Sequence, residues 1–113
     1  MEQRLPAHLE IAGLIRAVGE NGGFATVIAK GERDAGTILA ICCENGTRAR
    51  LYERMPQLDG TRKWTLSKAQ DPENPSEFSE YCERRKRQDD DVWIIELDIE
   101  NGERFIGLST ETG

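Results

Sequence analysis

Along most of the chain, hydrophobic and polar positions repeat with period two, and in two places they switch to a helical period. The densest apolar run is Val92-Trp93-Ile94-Ile95-Glu96-Leu97-Asp98-Ile99. With alternate side chains on opposite faces, Trp93, Ile95, Leu97 and Ile99 share one side, and Val92, Ile94, Glu96 and Asp98 the other. Its first half is apolar on both faces and its second half alternates. Such a strand should begin inside a sheet and run out toward water. It is read as the core strand.

In chain order, Ile11, Leu14, Ile15 and Val18 fall at i, i+3, i+4 and i+7, which predicts a helix opened by Pro6. Gly19, Asn21, Gly22 and Gly23 close it. Residues 24–29 read as a strand, 31–36 as a polar turn, and 37–43 as a nearly all-apolar strand interior to the sheet. Asn45-Gly46 signals a hairpin, because both turn positions favour positive φ. On the returning strand, 48–55, Ala49 and Leu51 face one way and Arg48, Arg50 and Tyr52 the other. A turn over 56–60 leads to 62–68, where Trp64 and Leu66 face inward and Lys63, Thr65 and Ser67 outward. Successive hairpin connections predict a four-stranded antiparallel meander. Asn74, Pro75 and Glu77 match an N-cap, a first-turn proline and a capping-box acid, with Phe78, Tyr81 and Cys82 as the apolar stripe. A short element is expected around Phe105 and Ile106, and 109–113 read as frayed. The order α-β-β-β-β-α-β predicts an α+β fold: a mostly antiparallel sheet of about five strands with two main helices.

The length of 113 residues fits a single globular domain over 1–113. A net charge of −6 argues against broad nucleic-acid or anionic-membrane binding. No apolar stretch approaches the roughly eighteen residues of a membrane span, and the opening residues lack the layout of a secretion signal. Three cysteines, two of them adjacent, suit no disulfide framework and point to a reducing cytoplasm.

Candidate chemistry is concentrated on the middle hairpin. Its outward face carries Arg48, Arg50, Tyr52 and Lys63, with Arg54 and Arg62 near its open loop. Six basic residues stand against two acidic ones between Thr47 and Lys68, in a chain otherwise acidic. Interleaved cations and an aromatic could hold phosphate or single-stranded nucleic acid; the alternative is a solvated face of cross-strand charge pairs. Glu96, Asp98 and Glu100, with Asp89, Asp90 and Asp91 upstream, could bind a hard divalent cation, or simply keep a sheet edge soluble. A nuclease-type metal site is not matched, since Met55 stands where Glu53-Arg54-Met55 would need lysine. Adjacent Cys42 and Cys43 point to opposite faces, Cys82 fits a helix stripe, and His8 has no visible orienting partner. No metal site and no cofactor is expected. The loops over 55–60 and 70–74 carry specific polar residues, which suits either function or self-bonded turns.

Four segments carry a family resemblance. They are Arg50-Leu-Tyr-Glu-Arg-Met-Pro-Gln-Leu-Asp-Gly60, Lys68-Ala-Gln-Asp-Pro-Glu-Asn-Pro75 running into Glu77-Phe78, the opening Arg4-Leu-Pro-Ala-His-Leu-Glu10, and Trp93-Ile-Ile-Glu-Leu-Asp98. Through them the chain resembles, from Arg4 to about Ile106, an alphaproteobacterial family known as domain of unknown function 1491. The resemblance implies a small, single-domain, intracellular bacterial protein, and it brings no activity and no site residues. The functional expectation is a non-catalytic binding or regulatory module acting through the basic hairpin face, with protein or RNA as partner. Homodimerisation through a sheet edge or an apolar helix face is a further expectation. The alternative is a small metal-dependent enzyme using the carboxylates of the last strand.

Overall fold

A computed structural model describes residues 5–56, 58–59 and 62–107. Its elements are α1 (Ala7–Glu20), β1 (Phe24–Ala29), β2 (Ile38–Glu44), β3 (Thr47–Pro56), β4 (Arg62–Ala69), α2 (Pro75–Gln88), β5 (Trp93–Asp98) and a 3-10 helix (Gly102–Ile106). The strands form one sheet in the order β1-β5-β2-β3-β4. β5 runs parallel to β2, and the other neighbouring pairs are antiparallel. The fold is α+β, with two helices and a mostly antiparallel five-stranded sheet, as the pattern predicts.

The four-stranded meander is not formed. β2, β3 and β4 follow one another as antiparallel neighbours, but β5 is inserted between β1 and β2. The reason lies in burial. β2 and the first half of β5 are apolar on both sides, so both need neighbours on both edges and cover on both faces. A direct β1–β2 hairpin would have left β5 outside. The connection over 30–37 instead straps across the start of β5. Glu32 N donates to Asp91 O (3.0 Å), and Trp93 Nε1 donates to Glu32 O (2.6 Å). Gly31 and Gly36 permit this approach, since a Cβ at either would lie within 2.4 Å of Asp91 O.

The helices cover opposite faces. Ala7, Ile11, Leu14 and Val18 of α1 pack with Ile106 on Ile38, Ala40, Cys42, Trp93, Ile95 and Leu97. Phe78 and Cys82 of α2 pack on Leu39, Ile41, Cys43, Ala49, Leu51, Val92 and Ile94. Each large apolar side chain so buried contributes about 2 kcal/mol. Ile15, expected inside, is 40% exposed, and Ala7 joins the buried stripe. The first turn of α1 is satisfied by the strap rather than by a side-chain cap: Ala7 N and His8 N donate to Asp34 O and Arg33 O. Asn74 and Pro75 open α2 as predicted, but without a side-chain cap bond, and Glu77 pairs with Lys68 at 3.3 Å instead. Among the described residues no helix is long and apolar enough to cross a membrane. The frayed tail expected over 109–113, and part of the 56–60 turn, lie outside the described residues.

A candidate binding cavity at the β2–β3 turn

Asn45 and Gly46 adopt φ of 52° and 74°, the left-handed pair that a tight hairpin favours. Thr47 Oγ1 closes the turn by donating to Glu44 O at 2.7 Å. One residue on, Arg48 is also left-handed, at φ 55°. The β2–β3 register explains it. Cys42 pairs with Arg50 and Glu44 with Thr47, so two residues, Arg48 and Ala49, face Cys43 alone. This is a β-bulge whose left-handed position normally falls to glycine. An arginine there costs roughly 1 kcal/mol of backbone strain. The bulge turns Ala49 into the α2-side core and leaves the Arg48 side chain 76% exposed at the rim.

Behind the rim lies an ion-pair network. Arg50 Nη2 donates to Glu44 Oε2 at 2.9 Å, and Arg50 Nε donates to Glu103 Oε2 at 2.6 Å. Tyr52 Oη donates to the same Glu103 oxygen at 2.7 Å. Arg48 Nη2 reaches Glu44 Oε1 at 3.2 Å. Glu103, only 8% exposed, is delivered by the 3-10 helix. That helix begins after left-handed Asn101 and lies against Cys42 through Gly102, where a Cβ would meet Cys42 Sγ at 3.3 Å. The hydrogen bond from Arg50 holds the Glu44 carboxyl below its ordinary range. For Glu103, burial alone would raise the pKa, but the bonds from Arg50 and Tyr52 overcome it and lower it. Burial, reinforced by Glu103, pushes the Tyr52 hydroxyl up to about 12.

A cavity of about 500 Å³ opens beside this network, lined by Gly46, Thr47, Arg48, Ala49, Arg50, Ala69, Gln70, Pro72 and Pro75. Its walls are mostly aliphatic, and two arginines are among the residues that line it. Gln70 fixes one side: its N–H donates to Ala49 O at 2.8 Å, and its Oε1 accepts from Ala49 N at 3.3 Å. Asp71 orders the next turn by accepting from Glu73 N at 2.9 Å. Such a cavity suits an anionic group attached to a small apolar body.

The structure divides the four residues singled out from the sequence. Arg48 and Arg50 line the cavity, and Tyr52, outside it, is tied to Arg50 by their shared bond to Glu103. Lys63 is on β4 opposite Met55, toward the other end of the hairpin, exposed and without an ion pair among the described residues. Arg54 and Arg62 border a separate cavity, where Arg54 pairs with Glu10 at 2.7 Å and stacks over Trp64. Leu66, expected inward, is half exposed. Gln70 and Pro72 belong to the 70–74 loop marked from the sequence, and Pro75 to the predicted start of α2. Glu44 and Glu103 carried no local signal, since their partners are remote in sequence or lie across a bulge.

The other candidates have structural occupations. Asp98 Oδ1 accepts from Asn45 N at 2.7 Å, and burial, then Asp98, raises the Glu96 pKa. Among the described residues no group of three or more His, Cys, Asp or Glu side chains is placed to hold a metal ion. His8 Nδ1 lies 3.1 Å from Arg33 O. Cys42 and Cys43 are buried on opposite faces, as predicted, and burial pushes their thiols up to about 12 and about 11.

Comparison with known proteins gives a consistent picture. The family model described as "Protein of unknown function (DUF1491)" matches residues 5–107. A crystal structure of a DUF1491 family protein from Caulobacter crescentus CB15 is 30% identical, with a TM-score of 0.81, covering 96% of this chain and 100% of that one. An NMR structure of a DUF1491 family protein from the same organism is 30% identical, with a TM-score of 0.79, covering 98% and 100%. The solution structure of protein Atu0922 from A. tumefaciens is 28% identical, with a TM-score of 0.66, covering 88% and 89%. Among curated proteins nothing matches.

Proposed function

The chain belongs to the DUF1491 family of proteins of unknown function, and from that footing we propose that it is a non-catalytic binding module whose Arg48–Arg50 cavity takes an anionic segment of a partner protein. The observation that carries this reading is Arg48 itself. A side chain that strains its backbone, where glycine would relieve it, stands at the mouth of a cavity, and stability conceded in that way is a mark of functional sites. Arg48 is the adjustable cation. Arg50, held by Glu44 and Glu103, is the fixed one.

Of the two partner classes weighed from the sequence, protein is favoured over RNA. Base recognition needs an exposed aromatic platform, and Tyr52 is half-buried with its hydroxyl committed to Glu103. The cavity offers alanine and proline walls instead, which fit small aliphatic side chains flanking a carboxylate or phosphate. In this reading the module works in the bacterial cytoplasm, supported by three buried, unpaired cysteines and by relatives from bacteria.

The test is an amide NMR titration with short acetylated peptides carrying one glutamate or phosphoserine among small apolar residues, run beside single-stranded RNA. The peptides should shift Gly46, Arg48, Ala49, Ala69 and Gln70. Arg48→Gly should keep the fold and weaken binding about tenfold, the worth of one charge-assisted hydrogen bond. Unchanged peptide affinity in Arg48→Gly, or tighter binding of the RNA at these amides, overturns the reading.

A further inference from the structure

The two free edges of the sheet are built differently. β4, at one end, carries Arg62, Lys63 and Lys68, charges that discourage another strand from pairing. β1, at the other, is Phe-Ala-Thr-Val-Ile-Ala, with no charge and no proline. It pairs only with β5, so its outer backbone N–H and C=O groups face away from the sheet. Its side chains are unusually open for their type: Phe24 is 75% exposed, Val27 37% and Ile28 39%. The bulge between Val27 and Ala29 leaves 24–27 as a regular pairing segment.

We infer that β1 is a dimerisation edge, pairing antiparallel with β1 of a second copy to join two five-stranded sheets. The unmet backbone groups specify a strand as occupant, and the flanking charges specify which one. Between 21 and 31 the one charge is Lys30, at the C-terminal end of β1. The N-terminal end is bordered by Glu20, by Asp98 opposite Phe24, and by Glu100, which lines a cavity with Phe24. Antiparallel pairing about a two-fold axis sets the Lys30 of each copy against the acidic end of the other. It also brings together the apolar side chains of both strands. A parallel arrangement would place lysine against lysine. The two-fold contact closes on itself, so it yields a dimer and not a fibre.

Arg48 also lines the cavity that holds Phe24 and Glu100, where it is paired with Glu44, so the acidic end keeps Asp98 and Glu100 for Lys30. The test uses positions outside the Arg48–Arg50 cavity. Sedimentation velocity of the full chain over a wide concentration range should show a reversible monomer–dimer equilibrium. Phe24→Lys, at an exposed position, should keep the circular dichroism spectrum and weaken the dimer at least tenfold, while Lys63→Glu on the opposite edge leaves it unchanged. In the dimer, amide exchange within 24–27 should slow with rising concentration. A chain that stays monomeric throughout overturns the inference, whether or not its edge captures an added strand peptide. So does a dimer indifferent to Phe24→Lys, or one without concentration-dependent protection in 24–27.

Discussion

The two halves of the sheet are stabilised by different physics. β5 and β2 lie between α1 on one face and α2 on the other, packed almost wholly with aliphatic side chains, with β1 flanking β5 at the edge. Beyond Ala49 and Leu51, which join the α2-side core, β3 and β4 form an arm whose inner positions carry arginine and glutamate. It is fastened to the rest by ion pairs: Arg50 to Glu103 of the 3-10 helix, Arg54 to Glu10 of α1, and Glu53 to Arg85 of α2. Apolar burial is neither screened by salt nor altered by protonation, whereas paired charges are. The lesson is that the arm, which carries the candidate cavity, is the part of the molecule that solution conditions can loosen.

The contrast can be sharpened by mutation. Leu97→Ala, in the dry half, should destabilise most, by about 3 kcal/mol, because the cavity it leaves cannot collapse in a strand covered on both faces. Chemical denaturation measures it, and a loss below about 1 kcal/mol would show that half to be less tightly packed than described. Glu103→Ala should cost about 2 kcal/mol, since it leaves Arg50 Nε and the Tyr52 hydroxyl without their shared acceptor, although Glu44 still holds the rest of the guanidinium. Unlike the first, this loss should be accompanied by faster amide exchange in β3.

Next in size is the effect of acid. Glu44, Glu53 and Glu103 are all held below the ordinary carboxylate range in the folded chain, Glu53 by its bonds from Arg85. Their contribution is therefore complete above the unfolded value of about 4.3 and is lost as pH falls through their lowered values. Glu96, raised by burial, works in the opposite sense: its protonation relieves strain on acidification. Thermal melts should be flat from about pH 7 to 5 and decline below about 4, with the arm's amides losing protection first. A decline already complete at pH 5 would contradict the pairing described. The smallest effect belongs to Arg48→Gly. It relieves a left-handed backbone and loses one exposed ion pair, so it should stabilise slightly, by up to about 1 kcal/mol, while impairing the proposed binding.

Much of this molecule is legible in its residues one at a time. The alternation around Trp93 marks a buried strand, Asn45-Gly46 marks a hairpin, and Asn74-Pro75 marks the start of α2; each is a local preference of backbone or side chain, and the fold obeys all three. What alternation could not reveal is the bulge at Arg48. One extra residue shifts the register, so Arg48 leaves the row it seemed to share with Arg50 and Tyr52. Lys63 went astray for a related reason, since counting along β4 does not say which face of β3 it joins across a second register shift.

The sequence by itself determined the elements, the buried faces of β2, β5 and α2 and the α+β class, because hydrophobic period and turn chemistry act over a few residues. Only the tertiary structure decided that β5 enters between β1 and β2, and that Glu103 closes on Arg50 across 53 positions of chain. Both depend on which distant surfaces need covering and which distant charges need partners. No local pattern encodes that.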